Sequence, residues 1–122
     1  MRDILQALYE YWHTFGIPAY PTNTVPDDAQ LPYITYDVKV PYWRGQTTYY
    51  VRVWYDDTSY SAISQKVKEI SDDIGEGKRI KNGNAIIYLF KEDTFLQFQP
   101  TDDSEGNLKI AYLSMIIHVL MA

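Results

Sequence analysis

The chain contains no cysteine. That removes thiol nucleophiles, disulfide staples and most structural zinc sites, and it leaves the redox compartment open. Histidine is nearly as scarce. His13 and His118 fall on different expected elements, and neither has a nucleophile and an orienting acid in a recognisable motif beside it. Both read as ordinary surface or partly buried side chains. Long apolar runs are missing too. The longest, the C-terminal "MIIHVLMA", is far short of the ~20 residues that a spanning helix needs. Acidic and polar residues interrupt the N-terminal "MRDILQALYEYWHTFG", so no secretion signal is expected and the protein should stay inside the cell that makes it, or leave by another route. Neither G-x-x-x-x-G-K-[ST] nor G-x-G-x-x-G occurs, so no phosphate cradle is indicated.

Positive charge is also in short supply. Eleven Lys and Arg face 16 Asp and Glu, for a formal net charge of -5. Affinity for nucleic acid comes largely from Lys and Arg displacing counterions, so free-standing binding is disfavoured, whereas close passage of DNA without capture is not. The basic cluster "KRIK" supplies Lys78, Arg79 and Lys81. It follows an expected helix, where it complements the C-terminal end of the dipole; a phosphate contact is the other reading. Paired carboxylates recur at Asp27-Asp28, Asp56-Asp57, Asp72-Asp73 and Asp102-Asp103. Such pairs can hold Mg²⁺ or Ca²⁺, but three sit in expected turns or loops and one closes a helix. "TDDSEGN" starts on Thr101 and has Tyr112 where a calcium loop needs a bidentate Glu. Solvated turns account for them better, and no metal or cofactor is expected.

What the chain has in quantity is aromatic rings. In "LPYITYDVKVPYWRGQTTYYVRVWYDD" stand Tyr33, Tyr36, Tyr42, Tyr49, Tyr50 and Tyr55 with Trp43 and Trp54, and no cysteine, histidine or serine. Rings on strands fill a core, stack on bases, or meet another protein surface. The length of 122 residues implies one domain, 1–122. A chain this long buries roughly two-thirds of its unfolded surface without a staple.

Ile4, Leu5, Leu8, Trp12 and Phe15 form a helical stripe that Gly16 and Pro18 end. "IPAYPTNTVPDDAQLP" reads as an extended loop because of its four prolines. "PYITYDVKV" alternates as a half-buried strand, "PYWRGQ" as a turn, and "TTYYVRVWYDD" as a second strand, with Tyr49, Val51, Val53 and Tyr55 on one face and Tyr50, Arg52 and Trp54 on the other. The two strands should pair antiparallel. Thr58 or Ser59 can cap a second helix buried through Ile63, Val67, Ile70 and Ile74 and stopped by Gly75 and Gly77. "NAIIYLFK" and "TFLQFQ" read as a third and a fourth strand, "PTDDSEGN" as a turn, and "LKIAYLSMIIHVLMA" as a long last strand. The expected fold is an α+β two-layer sandwich, a mainly antiparallel sheet of about five strands with two helices packed on one face. The other face stays apolar and aromatic, with no helix left to cover it.

An RNA-binding sheet of the RRM kind needs a basic residue, glycines and phenylalanines in order, and "TTYYVRVWY" lacks the glycines. A protein interface fits the interleaved Tyr, Trp and Arg better. The best candidates are Tyr42, Trp43, Arg44, Arg52 and Trp54.

The helix leading into "GIPAYP", the strand "LPYITYDV", the strand-to-helix segment "VRVWYDDTSYSAISQKVKEISDDIGEG" and "GNAIIYLF" with the following "FLQFQ" together resemble tail terminator (tail completion) proteins of long-tailed bacteriophages and prophages. The resemblance covers nearly the whole chain. It implies a virion structural protein without enzymatic activity or cofactor, a homo-oligomer that forms a hexameric ring at the head-proximal end of the tail after assembly in the host cytoplasm. Its partners would be its own copies, the major tail tube protein and a head-neck connector. DNA would pass through the ring without specific binding, and the Asp-rich turns would suit that lumen. The alternatives are a head-tail connector or stopper of the neck and, from another class, a small nucleic-acid-binding module.

Overall fold

The first helical stripe folds with one correction. The computed structural model describes residues 2–99 and 106–121, and in it helix α1 (Arg2–Trp12) runs into a 3-10 turn at His13–Phe15. Gly16, at φ 83, turns the chain out of that helical path. Ile4, Leu8, Trp12 and Phe15 are buried, joined by Ala7 and Tyr11, but Leu5 faces solvent. At about 100° per residue, Leu5 is rotated a quarter-turn off the line through Ile4 and Leu8.

Strands β1 (Ala19–Pro21), β2 (Tyr33–Tyr36) and β3 (Arg44–Asp56) follow. Then come helix α2 (Ser61–Ile74) and strands β4 (Lys78–Asn82), β5 (Ala85–Gln99) and β6 (Leu108–Met121). They form one sheet in the order β1-β2-β3-β6-β5-β4. Every pair is antiparallel except β1 with β2. With both helices on one face this is the expected α+β two-layer sandwich, but the sheet has six strands, where about five were expected.

Three local readings account for the different strand set. "KRIK" lies within edge strand β4, not in a helix-terminal cluster. Only Ile80 in it is apolar, so no alternation shows; an edge strand needs one partner only, and its Lys and Arg discourage a second. The proline-rich loop contains β1, short and pairing on one side alone, which is where a sheet tolerates proline. "NAIIYLFK" and "TFLQFQ" are one strand, β5. Its polar "KEDT" interruption is a bulge in which the step from Lys91 to Leu96 spans only Met115 to Leu113 on β6. Strand β2 is shorter than its alternation suggests: Val38 and Val40 pack against the core from outside the sheet. "PYWRGQ" is only half a turn, since β3 begins at Arg44. The expected turn at "PTDDSEGN" lies mostly outside the described residues.

The stripe Ile63, Val67, Ile70 and Ile74 of α2 is buried as expected, and Gly75 stops the helix at φ 54. Neither Thr58 nor Ser59 is the cap: that position is held by Tyr60, whose side chain makes no capping bond, while Ser59 Oγ, one residue earlier, accepts the Ser61 N–H at 3.2 Å. Helix α2 lies over β3, β6 and β5, while α1 touches β4 and β5 and also β1. Strands β1 and β4 are opposite edges of the sheet, so the sheet curls toward the helices. Six strands spaced about 4.8 Å apart would otherwise span more than twice a helix diameter.

Between the layers, Trp12 is fully buried and its Nε1–H donates to the Tyr49 hydroxyl at 3.2 Å. The Tyr11 hydroxyl donates to Asp73 Oδ2 at 2.7 Å, and Lys78 Nζ stands 3.4 Å from the same oxygen. This cluster ties α1, α2 and β4 together. Burial pushes both hydroxyls far above their ordinary value of 10.0; for Tyr11 the bond to Asp73 and its negative charge add to the rise, whereas for Tyr49 the bond from Trp12 opposes it. An acid whose folded pKa is raised favours folding while it stays protonated in both states. Above about pH 10 only the unfolded chain releases that proton, so stability falls with slope up to ~1.4 kcal/mol per pH unit for each such tyrosine. Urea midpoints followed by circular dichroism should hold up to about pH 9.5 and then drop steeply; a flat profile to about pH 11.5 would contradict the assignment.

Candidate functional site

Alternation along the strands places the same parity of residue on the face away from the helices. On β3 these are Thr48, Tyr50, Arg52 and Trp54, register-paired with Ile116, Ser114, Tyr112 and Ile110 of β6. Strand β5 adds Ile86, Tyr88 and Phe90, and β4 adds Arg79 opposite Tyr88 and Lys81 opposite Ile86. Neither helix reaches this face. Except for Ile110 and Thr35, which are buried, its side chains are half-buried or exposed.

The rings touch in chains across strands. Tyr20 meets Tyr33 edge-on at 5.6 Å, and Tyr33 meets Trp54 at 5.9 Å. The Trp54 Nε1–H donates to Thr35 Oγ1 at 3.0 Å, which fixes the indole against β2. The Arg52 guanidinium lies over the Tyr112 ring, 4.7 Å from its centre, in a cation–π contact. Tyr88 stacks on Phe90 at 6.2 Å and lies 6.5 Å from the His118 ring.

Asp37 lines a small cleft with Tyr50 and Arg52 on the open side, and the ion pairs lie on the other. Among the described residues the ion pairs are Lys66–Glu69, Lys68–Asp72 and Lys78–Asp73, all using carboxylates of α2. Arg44, Arg52, Arg79 and Lys81 enter none of them. A protein of net charge -5 therefore presents cations among the rings of its open face.

A second locus lies at the start of β3. The Arg44 N–H donates to the Tyr42 carbonyl at 2.9 Å, a turn closed around the single residue Trp43. Trp43 has φ 79, the one non-glycine residue with positive φ among those described. Three-residue turns of this hand are rare and strained. They persist where the surroundings hold them, and here the Met121 N–H donates to the Trp43 carbonyl at 2.8 Å. The strain serves no packing: Tyr42 is 57% exposed and Trp43 63% exposed, their rings edge-on at 5.9 Å. Asp37, Val40, Pro41, Thr48 and Tyr50 line an open cleft near this tip.

The five residues singled out from the sequence thus fall in two places. Tyr42, Trp43 and Arg44 form the exposed tip, while Arg52 and Trp54 are half-buried on the open face. Arg44 and Arg52 are eight residues apart on one strand, about 27 Å at the usual rise. Two contributions were not legible. Tyr88 and Phe90 join the open face because β5 runs as one strand next to β6, a pairing that no local pattern reveals. On α1, Leu5 and Tyr9 are 37% and 50% exposed, and the Tyr9 ring lies 4.1 Å from that of His13. Spacing four residues apart on the solvent side is the signal that could have found them.

Among the described residues no group of three or more His, Cys, Asp or Glu is placed to hold a metal ion. Asp72 and Asp73 are engaged by Lys68, Lys78 and Tyr11. Asp27 and Asp28 are exposed in a turn, and Asp102-Asp103 lies outside the described residues. What the open face offers is ring area, guanidinium groups and hydroxyls.

No protein-family model, curated protein or solved structure matches the chain.

Proposed function

We propose that the chain is a structural protein of a phage virion, one that assembles with its own copies into a ring on the end of the tail tube. The ring stops addition of tube subunits and forms the surface on which the head docks. The observation that carries this reading is the open aromatic face, unprotected by any helix. Apolar patches of this kind on small proteins mark contact with other proteins. The strained Tyr42–Trp43 tip supports it, since a tryptophan held in solvent at a conformational cost resembles the anchor of an interface. Head-to-tail ring contacts need two different adhesive surfaces per subunit, and two separate loci are available.

Purified protein added to polymerising tail tube subunits of the same phage or prophage is expected to halt elongation and leave a ring at one end in negative-stain micrographs. Tubes that keep growing, with no ring, overturn the proposal. A neck connector or stopper would bind the head-side partner and leave tube growth unaffected. Arg52, Arg79 and Lys81, which enter no ion pair among the described residues, favour a second reading, a platform for single-stranded nucleic acid on which bases stack. A salt-dependent gel shift on short single strands decides for it.

A further inference from the structure

Strand β5 has 15 residues, and its outer neighbour β4 has five. Strand β4 pairs with residues 85–89 and stops there, whereas β5 continues along β6 to Gln99. Beyond the bulge, residues 95–99 are therefore a further free edge of the sheet, with β6 on one side only. In an antiparallel ladder alternate residues turn their N–H and C=O away from the partner strand. Among the described residues no backbone hydrogen bond from outside the ladder reaches this stretch.

The other two edges are guarded. Strand β1 offers three residues and carries Pro21, and β4 carries Lys78, Arg79 and Lys81; short length, proline and lysine all keep foreign strands away. The stretch "FLQFQ" at 95–99 has no charge, proline or glycine, the composition that pairs most readily with further strands. Its flank is adhesive too. Leu96 and Phe98 are register-paired with the buried Leu113 and Ala111, on the helix side of the sheet, yet both are exposed. Tyr60, also exposed, meets Phe98 edge-on at 5.0 Å. Neither the open face nor the Trp43 tip includes these three side chains.

The occupant that fits this edge is the same edge of a second copy. Strand β1 of another copy would match three of the five residues, and β4 would set lysine and arginine along an apolar run. Antiparallel pairing of the edge with itself fills all five positions. About a two-fold axis at Gln97, Leu96 faces Phe98 of the other copy, Phe95 faces Gln99, and Gln97 faces its own counterpart. Apolar side chains meet and no like charges stand opposite each other. Lys91, Glu92 and Asp93 in the bulge end the uncharged run on one side. Both copies use the same edge, so the pair closes and leaves none over.

We infer that residues 95–99 of β5 pair antiparallel with the same residues of a second copy, joining two sheets into one. The pairing lies apart from the open face and the tip, and it does not rest on the virion reading.

The absence of native cysteine makes the test clean. Gln97→Cys protein alone, and Leu96→Cys mixed with Phe98→Cys, are oxidised beside Asn23→Cys, a control in an exposed loop. Neighbouring cross-strand pairs alternate between close and wide spacing, so one of the two links has the reach of a disulfide. That link should form at least about tenfold faster than the control, because pairing raises the effective thiol concentration. Gln97 is exposed, so its charge can be changed without touching the core. Gln97→Lys and Gln97→Glu should each weaken dimerisation about tenfold in sedimentation, and an equimolar mixture of the two should restore it. The inference is overturned if wild-type protein stays monomeric up to about 100 micromolar, where even a small specific interface would show. It is equally overturned if both links form no faster than the control, or if mixing the charged variants restores nothing. Monomeric protein whose edge takes up an extended peptide of another sequence overturns it as well.

Discussion

Replacing Trp12 by alanine is expected to remove about 4 kcal/mol of folding stability, within the range for emptying an aromatic site in a core. Trp12 is fully buried and stacks nearly parallel to Tyr49 at 6.5 Å. Its neighbours Tyr11 and Phe15 stand 4.9 Å and 5.8 Å from it, ring to ring. Alanine would leave a cavity between α1 and β3 and a buried Tyr49 hydroxyl without its donor, and the second effect adds about 1–3 kcal/mol where no water enters. Domains of this size are stable by roughly 5–15 kcal/mol, so the variant sits at the margin of folding. Trp12→Phe separates the two contributions by keeping most of the ring and losing the N–H. Urea denaturation of the three proteins measures both. A loss below about 1 kcal/mol for Trp12→Ala would mean that the helix layer does not depend on this contact.

Trp43→Gly is expected to move folding and assembly in opposite directions. A non-glycine residue at positive φ carries a conformational cost of about 1–2 kcal/mol. Glycine relieves it and loses some of that gain to its more flexible unfolded chain, leaving the monomer about 0.5 kcal/mol more stable or unchanged. Assembly should weaken by at least 2 kcal/mol, about thirtyfold in the concentration needed, because an exposed tryptophan tip is the type of residue on which interface energy concentrates. Tyr42→Ala should weaken assembly in the same sense with little effect on folding. Urea midpoints on one side, and sedimentation and tube capping on the other, give the two readouts. A Trp43→Gly protein that caps tubes at wild-type concentration removes the tip from the interface.

The parts of the fold that a local pattern specifies could be read from the chain. Ile63, Val67, Ile70 and Ile74 gave the buried line of α2, and period-two alternation assigned Tyr50, Arg52 and Trp54 to one face of β3 and Tyr49, Val51 and Val53 to the other. The layer architecture follows from such assignments. What could not be read depends on partners distant in sequence. Strand β4 shows no alternation because Lys78 and Asn82, on the same side as Ile80, are as polar as Arg79 and Lys81 on the other, and it becomes a strand by pairing with Ile87 and its neighbours. The polar Glu92, Asp93 and Thr94 interrupt the pattern of β5 without ending it, since β6 holds both halves in the ladder. The same dependence hid much of the site. Composition marked the rings, but the sheet order decides that Tyr88 joins Tyr112 on a common face while Trp43 is carried to the far end of β3.

The three longest strands lie side by side, with 13 residue pairs between β3 and β6, a seam about 43 Å long. Their hydrogen bonds run perpendicular to the strands. A pull along the strand axis therefore strains all the bonds of the seam together, in shear, and each bears a small fraction of the load. Tension at right angles to that axis would unzip the margins first, where β1 and β2 share only three residue pairs. The molecule is mechanically anisotropic, stiff along β3, β6 and β5 and soft at its rims.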